Sequence, residues 1–303
     1  MFSLKRVLSS PRTIILSLNH HGLLGFLSDK TNIKWMYYAS FGKHLNLTNP
    51  VSFNEKIQWL KLYDRRPLYI DLVDKYSVKE YVKEKIGEEY VIPTYGYWHS
   101  VEEINFDALP EQFVLKTIHD GGGAGVVICN NKAALDKAKV KKRLQDSLKR
   151  DVYKDLREWP YKDIPHMILA EQLLLNNGLP LQDYKIHCFN GIPKFILVCK
   201  DRYEVTGLTE DFYDCDWNHI PVRRPKHPNS ALPIEAPAEL KEMLELACSL
   251  SADIPFVRVD FYVSDGKIYF GEMTFYPTSG YTAFVPEEYD NIFGQWIDLT
   301  KVK

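Results

Sequence analysis

The sequence predicts an α+β fold: antiparallel hairpins with charge on one face, and helices gathered toward the amino-terminal end. Three observations predict it. Residues 255–280 read as two strands around a tight turn, because Val257, Val259, Phe261 and Val263 alternate with Arg258, Asp260 and Tyr262. Residues 183–199 read as a second hairpin, alternating up to Phe189 with Asp183, Lys185 and His187 on one face, and turned by Asn190-Gly191. Ser52-Phe53-Asn54-Glu55 and Ser77-Val78-Lys79-Glu80 have the spacing of capping boxes, each opening a helix.

The amino-terminal elements come first. Lys5 and Arg6 precede a stretch from Thr13 to Leu27 that is apolar in parts, but Asn19, His20 and His21 interrupt it and no small-residue cleavage site follows. That argues against a signal peptide and a spanning helix. It leaves open an interfacial amphipathic segment, and with it peripheral membrane contact through the N-terminus. Residues 31–65 mix aromatic and basic side chains, and the aromatics read as packing. The Ser52 box predicts a helix through Leu62. Two short helices follow, one after Pro67 and one from Ser77 to Gly87. Asp74 and Lys75 fall just before their junction, where Lys75 alone reads as a surface charge.

Gln112–Lys116 and Gly125–Cys129 read as paired strands around Thr117-Ile118-His119-Asp120-Gly121-Gly122-Gly123-Ala124. Backbone N–H groups in such a loop can close on phosphate oxygens, and Lys116 adds a point charge. The loop is not a P-loop, since no Gly-Lys-Ser/Thr follows, and Val126 or Ile128 occupies the third glycine's place in a dinucleotide fingerprint. Lys132–Lys149 is a charged, solvated helix. Met167–Leu175 reads as a buried strand, residues 203–236 as loop, and Pro237–Ser251 as an amphipathic helix. Arg223, Arg224 and Lys226 read as a solvated loop, with contact to an anionic substrate as the alternative.

In the 255–280 hairpin, turn length decides the chemistry. A two-residue Asp265-Gly266 loop pairs Asp260 with Gly271 and sends Glu272 to the opposite face. A three-residue loop with Gly266 in a bulge pairs Arg258 with Glu272, and puts Arg258, Asp260, Glu272 and Thr274 on one face. The three-residue loop is the expectation. Two unpaired carboxylates there would be costly, and a divalent cation would relieve that cost; a solvated face with an ordinary salt bridge is the alternative.

Composition sets the class. The chain has 303 residues, 45% hydrophobic and 26% charged, ordinary for a soluble globular protein. With 38 basic and 40 acidic residues, nothing points to nucleic acid as a partner. Cys129, Cys188, Cys199, Cys215 and Cys248 form no CxxC pair and mostly sit in apolar runs, as for thiols in a reducing cytosol, so the expected location is cytoplasmic.

The order of the pieces resembles the ATP-grasp superfamily, and more closely its teichuronopeptide-biosynthesis (TupA-like) group. The matching text is Phe53-Asn54-Glu55-Lys56-Ile57-Gln58-Trp59-Leu60, Phe256-Val257-Arg258-Val259-Asp260 and Tyr269-Phe270-Gly271-Glu272-Met273-Thr274-Phe275-Tyr276-Pro277. The resemblance implies two α+β subdomains clasping ATP, with a helical, aromatic-rich N-terminal part. The expected division is 1–90 helical, 91–175 small subdomain with the glycine-rich lid, and 176–303 large subdomain with the metal site. It further implies that Lys75 and Lys116 contact ATP phosphates beneath a lid of Gly121, Gly122, Gly123 and Gly125. Glu171, Gln172 and Leu174 would lie in a hinge whose backbone reads adenine, Asp183 would bind the ribose, and Lys185 would sit nearby. Asp260 and Glu272 would hold Mg2+ with Thr274, where superfamily members often carry Asn. Arg258, Arg202 and Lys116 would serve the chemistry. The implied activity is an ATP-dependent carboxylate–amine ligase in surface-polysaccharide biosynthesis. It would join an amine donor, an amino acid, to a small-molecule or nucleotide-sugar acid such as a uronic acid. The alternatives are a kinase of a sugar or small acid, and a nucleotide-binding protein without turnover.

Overall fold

The computed structural model describes residues 10–121, 123–176, 181–200 and 207–302. Its strands form two antiparallel sheets. The smaller is ordered β1-β4-β2-β3, from β1 (Thr94–Trp98), β2 (Phe113–Thr117), β3 (Val126–Cys129) and β4 (Ile168–Glu171). The larger is ordered β10-β9-β5-β6-β7-β8, from β5 (Asp183–Phe189), β6 (Ile192–Lys200), β7 (Thr209–Asp214), β8 (His219–Ile220), β9 (Phe256–Ser264) and β10 (Lys267–Thr274).

The period of two in β2 sorts its side chains. Phe113 and Leu115 are buried with Val140 and Leu144 of helix α6 (Lys137–Leu148), and the Thr117 hydroxyl lies 2.8 Å from that of Ser147. Val114 and Lys116 take the other face, opposite Glu171 and Leu169 of β4. Leu169 is buried in the core of the larger sheet, so that face turns toward it.

The larger sheet is sorted the same way. Ile186, Cys188, Val257, Val259 and Phe261 pack with Met243, Ala247 and Leu250 of helix α7 (Leu240–Leu250). Each fully buried apolar side chain there contributes about 1.5–3 kcal/mol. The opposite face is polar. Asp183, Lys185 and His187 of β5 stand across from Tyr262, Asp260 and Arg258 of β9. Its far end is capped by the amino-terminal helices. Phe53, at the start of α3 (Phe53–Tyr63), meets Phe256 edge-on at 5.0 Å. Before α3 come α1 (Pro11–His20) and α2 (Asp29–Phe41), and after it α4 (Leu68–Val73) and α5 (Val78–Lys85). Among the described residues no helix is long and apolar enough to cross a membrane.

Several local expectations hold and several do not. Ser52 is a capping box: its hydroxyl accepts from Glu55 N, and the Glu55 carboxylate accepts from Ser52 N, both at 3.2 Å. Ser77 is not, because its backbone is already helical. Asp74 serves that end instead, accepting from Tyr76 N at 2.8 Å. The strand read from Met167 to Leu175 ends at Glu171. Residues 209–214, read as loop, form β7. Its buried acids are compensated: Glu210 is paired bidentately with Arg224, and Asp211 accepts from Ser230. Arg224 is therefore a largely enclosed ion-pair partner and not a solvated loop cation.

The 255–280 turn has two residues, not three. Asp265 and Gly266 both have positive φ (50° and 74°), and Ser264 pairs with Lys267. The expected displacement occurs later. Gly271 bulges out of register between Phe270 and Glu272, so Glu272 stands opposite Asp260, and Thr274 opposite Arg258. A bulge inserts one extra residue and restores the face that the short turn would have lost. A side chain on Gly271 would come 3.0 Å from the Tyr262 ring and 3.1 Å from Asp260 O.

Candidate active site

The polar face is organised by Arg258. Its Nε donates to Asp260 Oδ1 and its Nη2 to Asp260 Oδ2, both at 2.6 Å; Nη2 also donates to Glu272 Oε1 at 2.7 Å. From β5, Lys185 Nζ donates to Asp260 Oδ2 at 2.6 Å and lies 3.4 Å from Asp183. The two carboxylates expected to stand unpaired are thus neutralised by side-chain cations. Asp260 is almost wholly buried. Burial pushes its carboxyl up, and Arg258 and Lys185 limit that rise. Burial would lower Lys185, but Asp260 and Asp183 outweigh it and the ammonium is held up. Glu272 differs, since its side chain is 39% exposed. Burial would raise it, yet Arg258, Lys75, Lys185 and Lys116 together hold it down at about 2.

Lys116 of β2 and Lys75 at the α4–α5 junction both act on Glu272, so the two sheets look into one cleft. Lys116 Nζ pairs with Glu171, which also pairs with Lys79 at 2.7 Å. Lys75 Nζ donates to two carbonyls at the base of the glycine loop, Ile118 O at 3.2 Å and Asp120 O at 2.6 Å. It is turned inward, against its surface reading. Burial lowers its pKa first, and Lys116 adds to that, against Glu272, Asp120 and Glu171. Three lysines therefore line this wall around a single directly paired carboxylate. Such a surplus of positive charge suits a polyanion.

Gly121 accepts ordinary backbone geometry with open space around its Cα, whereas a side chain on Gly125 would run into the hydroxyls of Thr117 and Ser147. Gly123 has φ 78°. Glu171 points its carboxylate at the two lysines. Gln172 N donates to Pro93 O at 3.0 Å, Leu174 is buried, and Leu175 O accepts from Ser264 Oγ at 2.5 Å, which ties the segment to β9. Gln172 thus spends its own N–H within the protein. Gly122 and Arg202 lie outside the described residues.

The oxygen-only set of Asp260, Glu272 and Thr274 has the chemistry of a hard-cation site. Thr274 Oγ1 lies 3.3 Å from Glu272 Oε1. The exposed Glu272 fits such an ion as it stands. Asp260 fits once Arg258 or Lys185 releases one of its oxygens. Among the described residues there is no cluster of three His, Cys, Asp or Glu poised for a metal.

Three roles escaped the sequence reading. Lys79 is buried beside Glu171; its position on the same helical stripe as Val82 and Ile86 was the available signal. His187 lies 4% exposed on the polar face, stacked on Phe195 at 4.1 Å, with Nδ1 3.0 Å from Lys185 O. A carbonyl only accepts, so Nδ1 carries the proton. Burial first, then Arg258, keeps the ring well below its ordinary pKa and neutral. With Arg224, Asn54, Thr278 and Thr282 it lines a small pocket at the end of the face. Lys61 is fully buried and donates to Ser279 O at 2.8 Å, Ser279 Oγ at 2.6 Å and Leu156 O at 3.1 Å. It thereby holds the turn of Thr278, Ser279 and Gly280, all three with positive φ, which follows the β10 carboxylate.

A family model described as TupA-like ATP-grasp matches residues 55–298. No curated protein matches the chain. Among solved structures, a D-alanine–D-alanine ligase from Bacillus anthracis is 21% identical, with 67% of this chain and 56% of that one covered and a TM-score of 0.38. The D-alanine–D-alanine ligase from Helicobacter pylori is 15% identical, with 81% and 69% covered and a TM-score of 0.42. The ATP-grasp ligase PsnB, complexed with a phosphomimetic variant of its minimal precursor, Mg and ADP, is 12% identical, with 82% and 66% covered and a TM-score of 0.44. The chain thus spans little more than half the length of the first of these.

Proposed function

Because this chain belongs to the TupA-like ATP-grasp family, we propose that it is an ATP-dependent carboxylate–amine ligase. The observation that carries the reading is the cleft itself. A wall of Lys75, Lys79 and Lys116 around Glu171 faces the Arg258–Asp260–Glu272 cluster, and the glycine loop lies at its edge.

In this reading Lys75 and Lys116 bind the ATP phosphates, and Gly121, Gly122, Gly123 and Gly125 close over them. The segment Glu171, Gln172 and Leu174 borders adenine, and Asp183 takes the ribose hydroxyls beside Lys185. Glu272, Asp260 and Thr274 hold Mg2+. When bound, that ion neutralises charge on the transferring phosphoryl group. The carboxylate substrate attacks the γ-phosphate to give an acyl phosphate and ADP, and the amine then displaces phosphate to give the amide. Arg258 stabilises negative charge on the acyl phosphate and on the tetrahedral species after it; Arg202 is a second candidate for that role.

The finer assignment joins an amino acid to a uronic acid in cytoplasmic steps of surface-polysaccharide biosynthesis. His187, Arg224, Asn54, Thr278 and Thr282 line a pocket of about 20 Å³ with donors and acceptors from several elements, room for one polar group of a hydroxyl- or carboxylate-bearing substrate. Exposed Leu23 and Phe26 support peripheral membrane contact, which co-sedimentation with vesicles tests.

The deciding experiment screens amino acids against nucleotide-sugar uronates and reads ADP and phosphate release together with product mass. The expected result is release that requires both an acid and an amine, and an amide product. Full-rate release with the acid alone or with neither overturns ligation, and a stable phosphorylated product identifies a kinase.

A further inference from the structure

The polar face of the larger sheet is laid out in rows. Glu272, Asp260 and Lys185 stand opposite one another across β10, β9 and β5. Two residues earlier on β9, Thr274, Arg258, His187 and Phe195 form the next row, across β10, β9, β5 and β6. Two residues of strand span about 6.6 Å. In the ligase reading the first row carries the metal and phosphates, and Arg258 of the second row stabilises the acyl phosphate. His187 is the neighbour of Arg258 on the side away from Thr274.

His187 is only 4% exposed, yet one of its nitrogens is unengaged. Nδ1–H donates to Lys185 O at 3.0 Å, which leaves Nε2 as a lone-pair acceptor. Among the described residues no hydrogen bond reaches Nε2. The ring is held by its stack on Phe195, 18° from parallel, and it lines the pocket shared with Asn54, Arg224, Thr278 and Thr282. The nitrogen donors of that lining are turned to other partners. Arg224 gives Nε and Nη2 to Glu210, and Asn54 Nδ2 donates to Asp290 Oδ1 at 2.9 Å and to Thr282 O at 3.2 Å. The pocket therefore offers a ligand chiefly acceptors: Nε2 and the hydroxyl oxygens of Thr278 and Thr282. Its 20 Å³ is about the room one water needs, which an amino group matches.

We propose that His187 binds the amine substrate, its Nε2 accepting an N–H of the attacking nitrogen in this pocket. The proposal rests on the ligase reading and names which of the two substrates the pocket takes. A carboxylate oxygen would set lone pair against lone pair at Nε2, whereas an amine brings N–H donors. Arg258, Arg224 and Lys185 all act on the ring, so a further positive charge beside it is disfavoured. An ammonium held there is driven toward its uncharged form, the form with a lone pair to attack. With one N–H on Nε2 and the other on a threonine hydroxyl, that lone pair is left for the acyl carbon beside Arg258. The C–N bond forms as the C–O bond to phosphate breaks, and the surplus proton on nitrogen ends on the departing phosphate. His187 holds the nucleophile and leaves the step unchanged.

The test is nitrogen NMR of the full chain carrying isotope-labelled histidine, with methylamine, ethanol and acetate as probes at equal concentration. His187 Nε2 is the unprotonated resonance missing from His187→Gln and from His187→Phe, whichever thermal unfolding shows to be folded. Methylamine is expected to move it saturably toward the position of a protonated nitrogen, the sign of an accepted hydrogen bond. Ethanol should move it less, and acetate should leave it in place. In ADP-release kinetics with the acid and amine found by the screen above, His187→Phe keeps a ring for the stack but has no acceptor. It should raise KM for the amine about tenfold or more, with KM for ATP and for the acid unchanged. His187→Gln, which keeps an acceptor oxygen near the place of Nε2, should recover part of that loss. A resonance that methylamine leaves unmoved, a larger shift with acetate or ethanol, or an amine KM indifferent to His187→Phe overturns the proposal. The NMR measurement needs no turnover, so the amine pocket and the ligase chemistry fail separately.

Discussion

Arg258 grips Asp260 by two bonds of 2.6 Å and, with the same Nη2, reaches Glu272 at 2.7 Å. One guanidinium therefore ties two strands together and sets the spacing of both carboxylates. The two anions are unequal: Asp260 is enclosed, and Glu272 opens to the cleft.

That inequality separates catalysis from stability. Glu272→Gln keeps shape and removes one charge from a partly exposed site. Its unfolding free energy should fall by less than about 1 kcal/mol, while ADP release falls about a hundredfold or more. Urea unfolding and a coupled ADP assay check this. A large stability loss with intact turnover would make Glu272 structural.

Two glycines of the lid region should behave oppositely. Gly125→Ala drives a methyl into Thr117 Oγ1 and Ser147 Oγ, which themselves lie 2.8 Å apart. The expected cost is about 1–3 kcal/mol. Gly121→Ala meets nothing within 4 Å, and its midpoint should stay near wild type.

His119 gives a pH signature. Its ring is buried, stacked at 3.7 Å on His166, and burial first, then His166, lowers its pKa from 6.5 to about 4. The unfolded chain therefore binds more protons between these values, so stability should fall as pH drops from about 6.5 toward 4. His119→Gln should flatten that part of the profile. Urea midpoints of both proteins at neutral and acid pH check the sign: the gap between them must depend on pH.

Lys61 is a positioning residue whose removal should be costly. Burial lowers its pKa to about 7, against the attraction of Glu158. Lys61→Met strands Glu158 and three acceptors, for about 3–5 kcal/mol. Lys61→Met/Glu158→Gln should recover part of this. A single variant as stable as wild type would remove Lys61 from the support of the Thr278–Gly280 turn.

Much of the site was legible because strand periodicity is local. Alternation alone placed Asp183, Lys185 and His187 on one face of β5, and the structure aligns them with Tyr262, Asp260 and Arg258. The Ser52 cap was legible because all its partners lie within four residues. The Ser77 box failed because Asp74, just upstream, offered a competing acceptor for the same backbone. Strand β7 was missed because its acids find their partners, Arg224 and Ser230, 14 and 19 residues away.

By itself the sequence determined which side chains could share a face, where hairpins turn, and which long motifs mark the family. Those properties depend on backbone geometry over a few residues. Tertiary structure alone decided that Gly271 and not Gly266 carries the bulge, that Arg258 and Lys185 neutralise Asp260, and that Lys75 turns inward. The reason is that pairing register and charge compensation are settled by contacts between segments tens to hundreds of residues apart, where desolvation forces each buried charge to find a partner.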